Sequence, residues 1–352
     1  MNTVILLENE TQRGLLDLMT SRATILGDGQ MGLVLADALH ERGIEVTVWG
    51  PFHDHVESLA SSRKSPRLPT MQLPQSILVT NDKETALRDT NCVVNAIPTQ
   101  FVRGVWKEAH RFLAKGVPIG CVAKGIEVET LMLPTQIIEE YVGEQHSTCV
   151  LSGPTIATEL VLRKPAALVS SSLTPETAAY FQDLFDVPWL RLYTHHDPLG
   201  VELAGALKNV IAIAAGICDG MSLGDNAKSA MLSRGLAEIS RLGVSMGAQL
   251  ETFFGVAGVG DLATTCFSPY GRNRTCGERL GQGETLEQIE SSIGSVVEGV
   301  ATTKAVRTLA LTQSIDMPIS EMMYQVLYNE LPLHDAIHGL MSRDQKEEQL
   351  GK

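Results

Sequence analysis

Apolar positions recur along the chain first in short β-branched runs and then, past the middle, at helical spacing. Residues 23–26, 45–49, 92–97, 118–122, 149–151 and 167–170 predict strands, and the amphipathic stretch 32–42 between the first two predicts a helix. Strands alternating with helical segments predict an α/β domain with a parallel, doubly wound sheet. After about Asp197 the strand signal stops. Residues 201–218, 226–246, 285–289, 302–311, 320–329 and 333–341 predict an all-helical second half. Pro188 and Pro198 bracket the last extended piece, which sets a boundary near His195-His196-Asp197-Pro198. The expected organisation is an N-terminal extension over 1–22, an α/β unit over 23–197 and a helical unit over 198–352, with no internal repeat.

Composition narrows the class. Over 352 residues, 44% hydrophobic and 20% charged positions exclude disordered, collagenous and coiled-coil readings. The longest apolar run, 210–217, is broken by Asp219 and Gly220, far short of the ~20 residues that a bilayer needs, so no membrane span is expected. No basic leader or cleavage site precedes the fold, which predicts a cytoplasmic protein. Cys92, Cys121, Cys149, Cys218, Cys266 and Cys276 form no C-x-x-C pair, which predicts reduced thiols and no metal site. A net charge of −13 repels a polyanion, so nucleic acid is not an expected partner; a small anionic substrate needs only a few local cations.

The first strand runs directly into Gly27-Asp28-Gly29-Gln30-Met31-Gly32 and then into the helix. This is G-x-G-x-x-G with a strand before, a helix after and a second strand following, the setting in which that spacing signals a dinucleotide. Gly27 would make the tight turn, Gly29 would admit a pyrophosphate to the backbone, and Gly32 would let helix and strand pack. The helix N-terminus would then face the phosphates. An ordinary glycine turn is the plain alternative. At the adenosine end, Val46-Thr47-Val48-Trp49-Gly50-Pro51 offers neither an acid for the ribose 2′-hydroxyl nor an arginine for a 2′-phosphate. His53, Asp54 and Arg63-Lys64 are substitutes or simply a solvated loop, so NAD and NADP both stay open.

Lys208 is a single cation among the small and apolar residues 202–216. It is either a snorkelling or ion-paired structural lysine, with Glu202 as partner, or a proton donor held near the working pH by a desolvated pocket. Asp261 follows the glycine-dense Gly255-Val256-Ala257-Gly258-Val259-Gly260 and either caps the next helix or reaches a pocket. Arg272-Asn273-Arg274 suits forked recognition of a phosphate, or is a basic loop on an acidic protein. Lys124 and Ser152-Gly153-Pro154-Thr155 follow strands at the carboxyl edge, where open α/β sheets bind ligands.

Together these segments resemble the NAD(P)-dependent glycerol-3-phosphate dehydrogenases over about residues 23–348. The resemblance rests on the glycine loop, Asn95-Ala96-Ile97-Pro98, Ala123-Lys124-Gly125, Ser152-Gly153-Pro154, residues 208–216, Gly224-Asp225-Asn226-Ala227-Lys228 and Arg234-Gly235-Leu236-Ala237-Glu238. It continues through Gly260-Asp261-Leu262, Arg272-Asn273-Arg274, Val297-Glu298-Gly299-Val300 and Met317-Pro318-Ile319. It implies a Rossmann-type domain followed by an all-α domain, and reversible reduction of dihydroxyacetone phosphate to sn-glycerol 3-phosphate by a cytoplasmic homodimer that feeds glycerophospholipid synthesis. By the same resemblance, Lys208 is the general acid/base, and Lys124 and Asp261 complete its polar cluster. Lys124, Gly153, Thr155, Lys208, Asn209, Asp261, Gly271, Arg272 and Asn273 contact the substrate. Gly27, Gly29, Gln30, Met31, Gly32, Phe101, Lys124, Ala157, Arg272, Val296 and Glu298 contact the cofactor, NADP or NAD, with a slight preference for NADP.

The chain departs from the family pattern at Asp28 and Met31, where a small residue and an aromatic are usual, at Pro51 in place of a basic residue, at Gly271 in place of Ser, and at Thr155 in place of Ser. The first three bear on cofactor choice, and none removes a proton- or hydride-transfer group. Two other readings compete. One is a related two-domain dehydrogenase of a 3-hydroxyacid or of 6-phosphogluconate; the other is a non-catalytic dinucleotide-binding regulator, which has no reason to keep Lys208, Lys124 and Asp261 together.

Overall fold

The structure is a computed structural model that describes residues 21–294, 296–345, 347 and 348; the expected extension lies outside the described residues except for Ser21 and Arg22. The chain enters through β1 (Arg22–Leu26), buried from Ala23 onward, and turns through the glycine loop into α1 (Gln30–Glu41). It continues through β2 (Glu45–Trp49), α2 (His53–Ser62), β3 (Leu78–Thr80), α3 (Lys83–Leu87), β4 (Cys92–Asn95), α4 (Thr99–Ala109), β5 (Ile119–Cys121) and α5 (Pro134–Val142). The sheet is completed by β6 (Thr148–Ser152), α6 (Ala157–Leu160), β7 (Ala166–Ser171), α7 (Pro175–Leu184) and β8 (Leu190–His195).

The strands form one eight-stranded sheet in the order β3-β2-β1-β4-β5-β6-β7-β8. All neighbours are parallel except β6 and β7, which pair antiparallel, Leu151 opposite Ser170. The sequence predicts a parallel sheet throughout. Between Ser152 and Ala166 the chain holds only the one-turn α6, so it doubles back where a parallel return needs a full crossover. The three-residue β3 was not predicted, and β8 falls inside the extended piece bracketed by the two prolines. Its alternation of buried Leu190 and Leu192 with exposed Arg191 and Tyr193 marks an edge strand.

Beyond the sheet lie α8 (Pro198–Gly220), α9 (Gly224–Ser245), α10 (Asp261–Phe267), α11 (Arg272–Gly281), α12 (Leu286–Ile293), α13 (Glu298–Gln313), α14 (Pro318–Asn329) and α15 (Leu333–Met341). Asp197 caps α8 by accepting the Gly200 N–H at 2.9 Å, and its other oxygen accepts the Gln249 N–H and the Thr252 hydroxyl. α8 is buried from Gly200 to Cys218. It is long and apolar enough to cross a bilayer, yet its whole apolar window lies inside the protein, because α9, α10, α11, α13 and α14 all pack around it.

Glycines set how closely α11 approaches α8. A Cβ on Gly216 would run into the Arg274 carbonyl and lie 2.8 Å from the Glu278 nitrogen, and one on Gly277 would lie 2.8 Å from the Ile213 carbonyl carbon. Gly220 and Gly281 meet in the same way. The two helices therefore touch backbone to backbone, which brings the start of α11 against Asn209 on α8. A second internal tie is Glu238 of α9, whose buried carboxylate accepts the Ile319 and Ser320 N–H groups at the start of α14.

Candidate active site

Strand order reverses between β1 and β4, so a crevice opens outside their carboxyl ends. Gly27, at φ 120°, lies so close to the β4 exit that a Cβ would sit 2.7 Å from the Ala96 carbonyl oxygen. Gly29 faces open space, with nothing within 4 Å of a Cβ there. No side chain caps α1, and its first turn carries no acid, so its leading N–H groups are left for an anion. The loop is thus shaped to cradle a pyrophosphate. Gln30 donates to the Arg67 carbonyl, Met31 and Ala157 pack on the core beneath, and Phe101 stands exposed on the first turn of α4.

Glu298, at the start of α13, reaches the same crevice. Its Oε1 accepts the Thr99 N–H at 3.0 Å, while its Oε2 and the Thr99 hydroxyl are buried beside Gly125 without partners among the described residues. Burial pushes the Glu298 carboxyl up to about 7, against the opposing pull of the Thr99 N–H and Arg272. Arg272 opens α11, and its Nη1 donates to the Val296 carbonyl at 3.1 Å. Partnerless buried polar atoms, an uncapped helix and an open glycine together fit a dinucleotide lying across the loop ends of β1 and β4.

The charged cluster sits one strand further along. Lys124 leaves β5 and donates to Asp261 Oδ2 at 2.6 Å and to the Gly153 carbonyl at 3.1 Å. Lys208, on α8, donates to Asp261 Oδ1 at 2.6 Å and to the Thr265 hydroxyl at 2.5 Å. One carboxylate therefore holds two ammonium groups, one oxygen each. Gly205 lets α8 approach, since a Cβ there would lie 3.0 Å from Ser152 Oγ and 3.4 Å from Lys124 Cγ. Ser152 Oγ is buried without a partner among the described residues, and the Thr155 hydroxyl turns back to the Gly153 carbonyl.

Burial works against both kinds of charge, and the pairing decides the outcome. Lys208 is only 5% exposed; burial drives its ammonium down to about 8, Asp261 opposes this, and Lys124 adds to it. Burial would raise Asp261, but the two ammonium groups outweigh it and hold the carboxyl below its usual range. At neutral pH Asp261 is an anion and Lys208 an acid close to its titration point.

An amide relay ties this cluster to the crevice. Asn209 donates to the Lys124 carbonyl, Asn273 donates to Asn209 Oδ1 at 2.9 Å, and Gly299 N–H donates to Asn273 Oδ1 at 2.9 Å. With its side chain occupied at both ends, Asn273 has its backbone N–H left, at the start of an α11 that no side chain caps. Gly271 and Arg272 border the same helix start.

The structure brings together Lys124, Lys208 and Asp261, and separately the glycine loop, Glu298, Val296 and Arg272. Arg274 does not join them. It pairs with Asp219, which also holds Lys228, on the far side of α11. Glu202 does not pair with Lys208 either; it accepts from the Thr135 N–H and hydroxyl. Sequence reasoning missed Thr265, although its place four residues after Asp261 puts both on one helical face, and it missed Thr99.

Two family models match the chain: the NAD-dependent glycerol-3-phosphate dehydrogenase N-terminus over residues 22–178 and the corresponding C-terminus over residues 197–338. A glycerol-3-phosphate dehydrogenase [NAD(P)+] of Geobacter sulfurreducens is 43% identical, with 94% of this chain and 99% of the relative covered. One from Staphylococcus haemolyticus is 42% identical over 93% of this chain and its own full length. The crystal structure of the Coxiella burnetii glycerol-3-phosphate dehydrogenase superimposes with a TM-score of 0.89 at 31% identity, covering 92% of this chain and 100% of that one.

Proposed function

The chain belongs to the NAD-dependent glycerol-3-phosphate dehydrogenase family, and we propose that it reversibly reduces dihydroxyacetone phosphate to sn-glycerol 3-phosphate with a nicotinamide dinucleotide. The observation that carries this reading is the single carboxylate of Asp261 holding Lys208 and Lys124 beside the dinucleotide crevice. When bound, the cofactor supplies a hydride to the carbonyl carbon.

The remaining chemistry belongs to this chain. As negative charge develops on the carbonyl oxygen, Lys208 transfers an ammonium proton to it and becomes a neutral amine; in the reverse direction the amine takes the hydroxyl proton. A donor held at about 8 is suited to both directions near neutral pH. Lys124 adds positive charge that stabilises the developing oxyanion, and Asp261 orients both ammonium groups without giving up a proton. The substrate phosphate is assigned to Arg272 and the uncapped start of α11 at Gly271 and Asn273, with Gly153, Thr155 and Asn209 on the other side of the substrate.

In this reading residues 23–197 bind the dinucleotide and residues 198–352 complete the substrate site. The reading includes a cytoplasmic homodimer; the six buried, unpaired cysteines support a reducing compartment, and light scattering tests the dimer. The activity is tested by following NADH and NADPH absorbance on adding dihydroxyacetone phosphate. Rapid loss with that ketone, and none with the oxo acids of 3-hydroxyacid dehydrogenases, is expected. Binding of cofactor with no turnover would overturn the reading in favour of a regulator.

A further inference from the structure

We propose that Asp28, from the glycine loop, grips the adenosine ribose and, held by His55, makes the site select NAD over NADP. This rests on the reading of the crevice as a dinucleotide site, and it is opposite in sense to the slight NADP preference that the sequence resemblance implies.

In a sheet of this type the ribose 2′-hydroxyl is held by an acid at the end of the second strand, or an arginine there accepts a 2′-phosphate. Here β2 ends in Trp49-Gly50-Pro51 with neither. The space that a side chain at position 50 would occupy is filled instead by Asp28. A Cβ on Gly50 would run into Asp28 Oδ2 and lie 2.7 Å from its Cγ. The acid missing from β2 is thus delivered to the same spot from the loop after β1, and glycine at position 50 makes room for it.

Asp28 is 3% exposed, and its Oδ2 is fixed 2.6 Å from His55 Nδ1 on the first turn of α2. Its Oδ1 has no hydrogen-bond partner among the described residues, which leaves one carboxylate oxygen to accept from a ribose hydroxyl. The two arginines that follow α2 are engaged elsewhere. Arg63 donates to the Ile77 carbonyl at 2.7 Å. Arg67 is anchored through its carbonyl to Gln30 at the start of α1, and its charge acts on Arg272, on the pyrophosphate side. A 2′-phosphate would therefore meet a buried carboxylate and no guanidinium fork, an arrangement that rejects an anion and accepts a hydroxyl.

The test is equilibrium binding of NADH and of NADPH to the purified protein, by calorimetry. The wild type is expected to bind NADH at least 10-fold more tightly, and Asp28→Asn, which keeps the shape and loses the charge, to bring the ratio towards one mainly by improving NADPH binding. Equal or tighter NADPH binding by the wild type overturns the proposal, as does an unchanged ratio in the variant. Should Asp28→Asn not fold, the wild type decides through competition by ADP against 2′,5′-ADP, where tighter binding of the latter overturns it. Because the readout is binding, the expected ratio without turnover of dihydroxyacetone phosphate would refute the substrate reading alone. Binding of neither dinucleotide would refute both.

Discussion

Asp261→Asn is the sharpest probe of the two-lysine cluster. The change keeps the size of the side chain and removes the one anion that compensates Lys208 and Lys124, each 2.6 Å from a carboxylate oxygen. Removing one partner from a buried ion pair costs ~3–5 kcal/mol. A buried lysine avoids that cost by releasing its proton, and at ~1.4 kcal/mol per pKa unit the penalty corresponds to a drop of about 2–3.5 units. Lys208, now held at about 8, would titrate between roughly 4.5 and 6. At pH 7 the ammonium fraction then falls from ~90% to between about 0.3% and 9%, and the rate of carbonyl reduction falls ~10- to 300-fold. The assay is the pH dependence of kcat for dihydroxyacetone phosphate reduction in the wild type and the variant, with circular dichroism to confirm folding. In the wild type the rate should decline as pH rises through about 8; in Asp261→Asn the same decline should move more than one unit towards acid. A folded variant whose profile still breaks near 8 would show that Asp261 does not set the proton affinity of Lys208, and the reasoning would fail.

Lys208→Ala should lower kcat by ~10²–10⁴ while leaving NADH binding intact, and near-normal turnover would remove Lys208 from the mechanism. In the wild type, oxidation of glycerol 3-phosphate should rise with pH through about 8, opposite to reduction, because that direction needs the neutral amine; parallel profiles would contradict the assignment. Gly277→Ala should lower stability by ~3 kcal/mol, the upper end of overpacking costs, since its Cβ meets the Ile213 carbonyl; a thermal midpoint equal to the wild type would mean α8 and α11 can move apart freely. Burial holds Glu238 at about 7, above its ordinary 4.5, so the folded protein binds this proton more tightly than the unfolded chain. Its stabilising contribution is full below 4.5 and is lost as pH rises through about 7. Glu238→Gln should therefore flatten that part of the Tm-versus-pH curve, and an unchanged slope would refute this.

The glycine loop and most strands were readable because their signals are local: a β-branched run, then glycines at fixed spacing. Lys208 stood out as one cation in an apolar helix, but spacing alone could not tie it to Asp261, 53 residues away; only the family resemblance joined the two. Glu202 could be discounted once α8 is taken as a helix, since residues six apart point to different faces. The same argument separates Arg272 from Arg274. Read as a loop, the two suit one phosphate; on α11, two positions apart, they face opposite ways, and Arg274 goes to Asp219. α11 escaped notice because its residues are mostly polar and its contact with α8 is made by glycines, which leave no apolar periodicity. The destination of Asp28 was equally hidden, since it depends on the absence of a side chain at Gly50 across a parallel strand pair.

The burial of α8 also bears on how the chain assembles during synthesis. Apart from β6, β7, the start of α5 at Thr135 and the loops around Ile126 and Leu133, the elements that enclose this helix lie downstream of it, the last of them α13 and α14. Ribosomes add ~5–20 residues per second, so the stretch between the end of α8 and the end of α14 takes on the order of 5–20 s to appear. For that interval a 23-residue helix that satisfies the length and apolarity of a membrane segment has left the ribosome with few of its partners made. Nascent-chain recognition factors that sort by hydrophobicity would meet it before its own fold does, and the speed of translation through residues 221–329 sets how long that competition lasts.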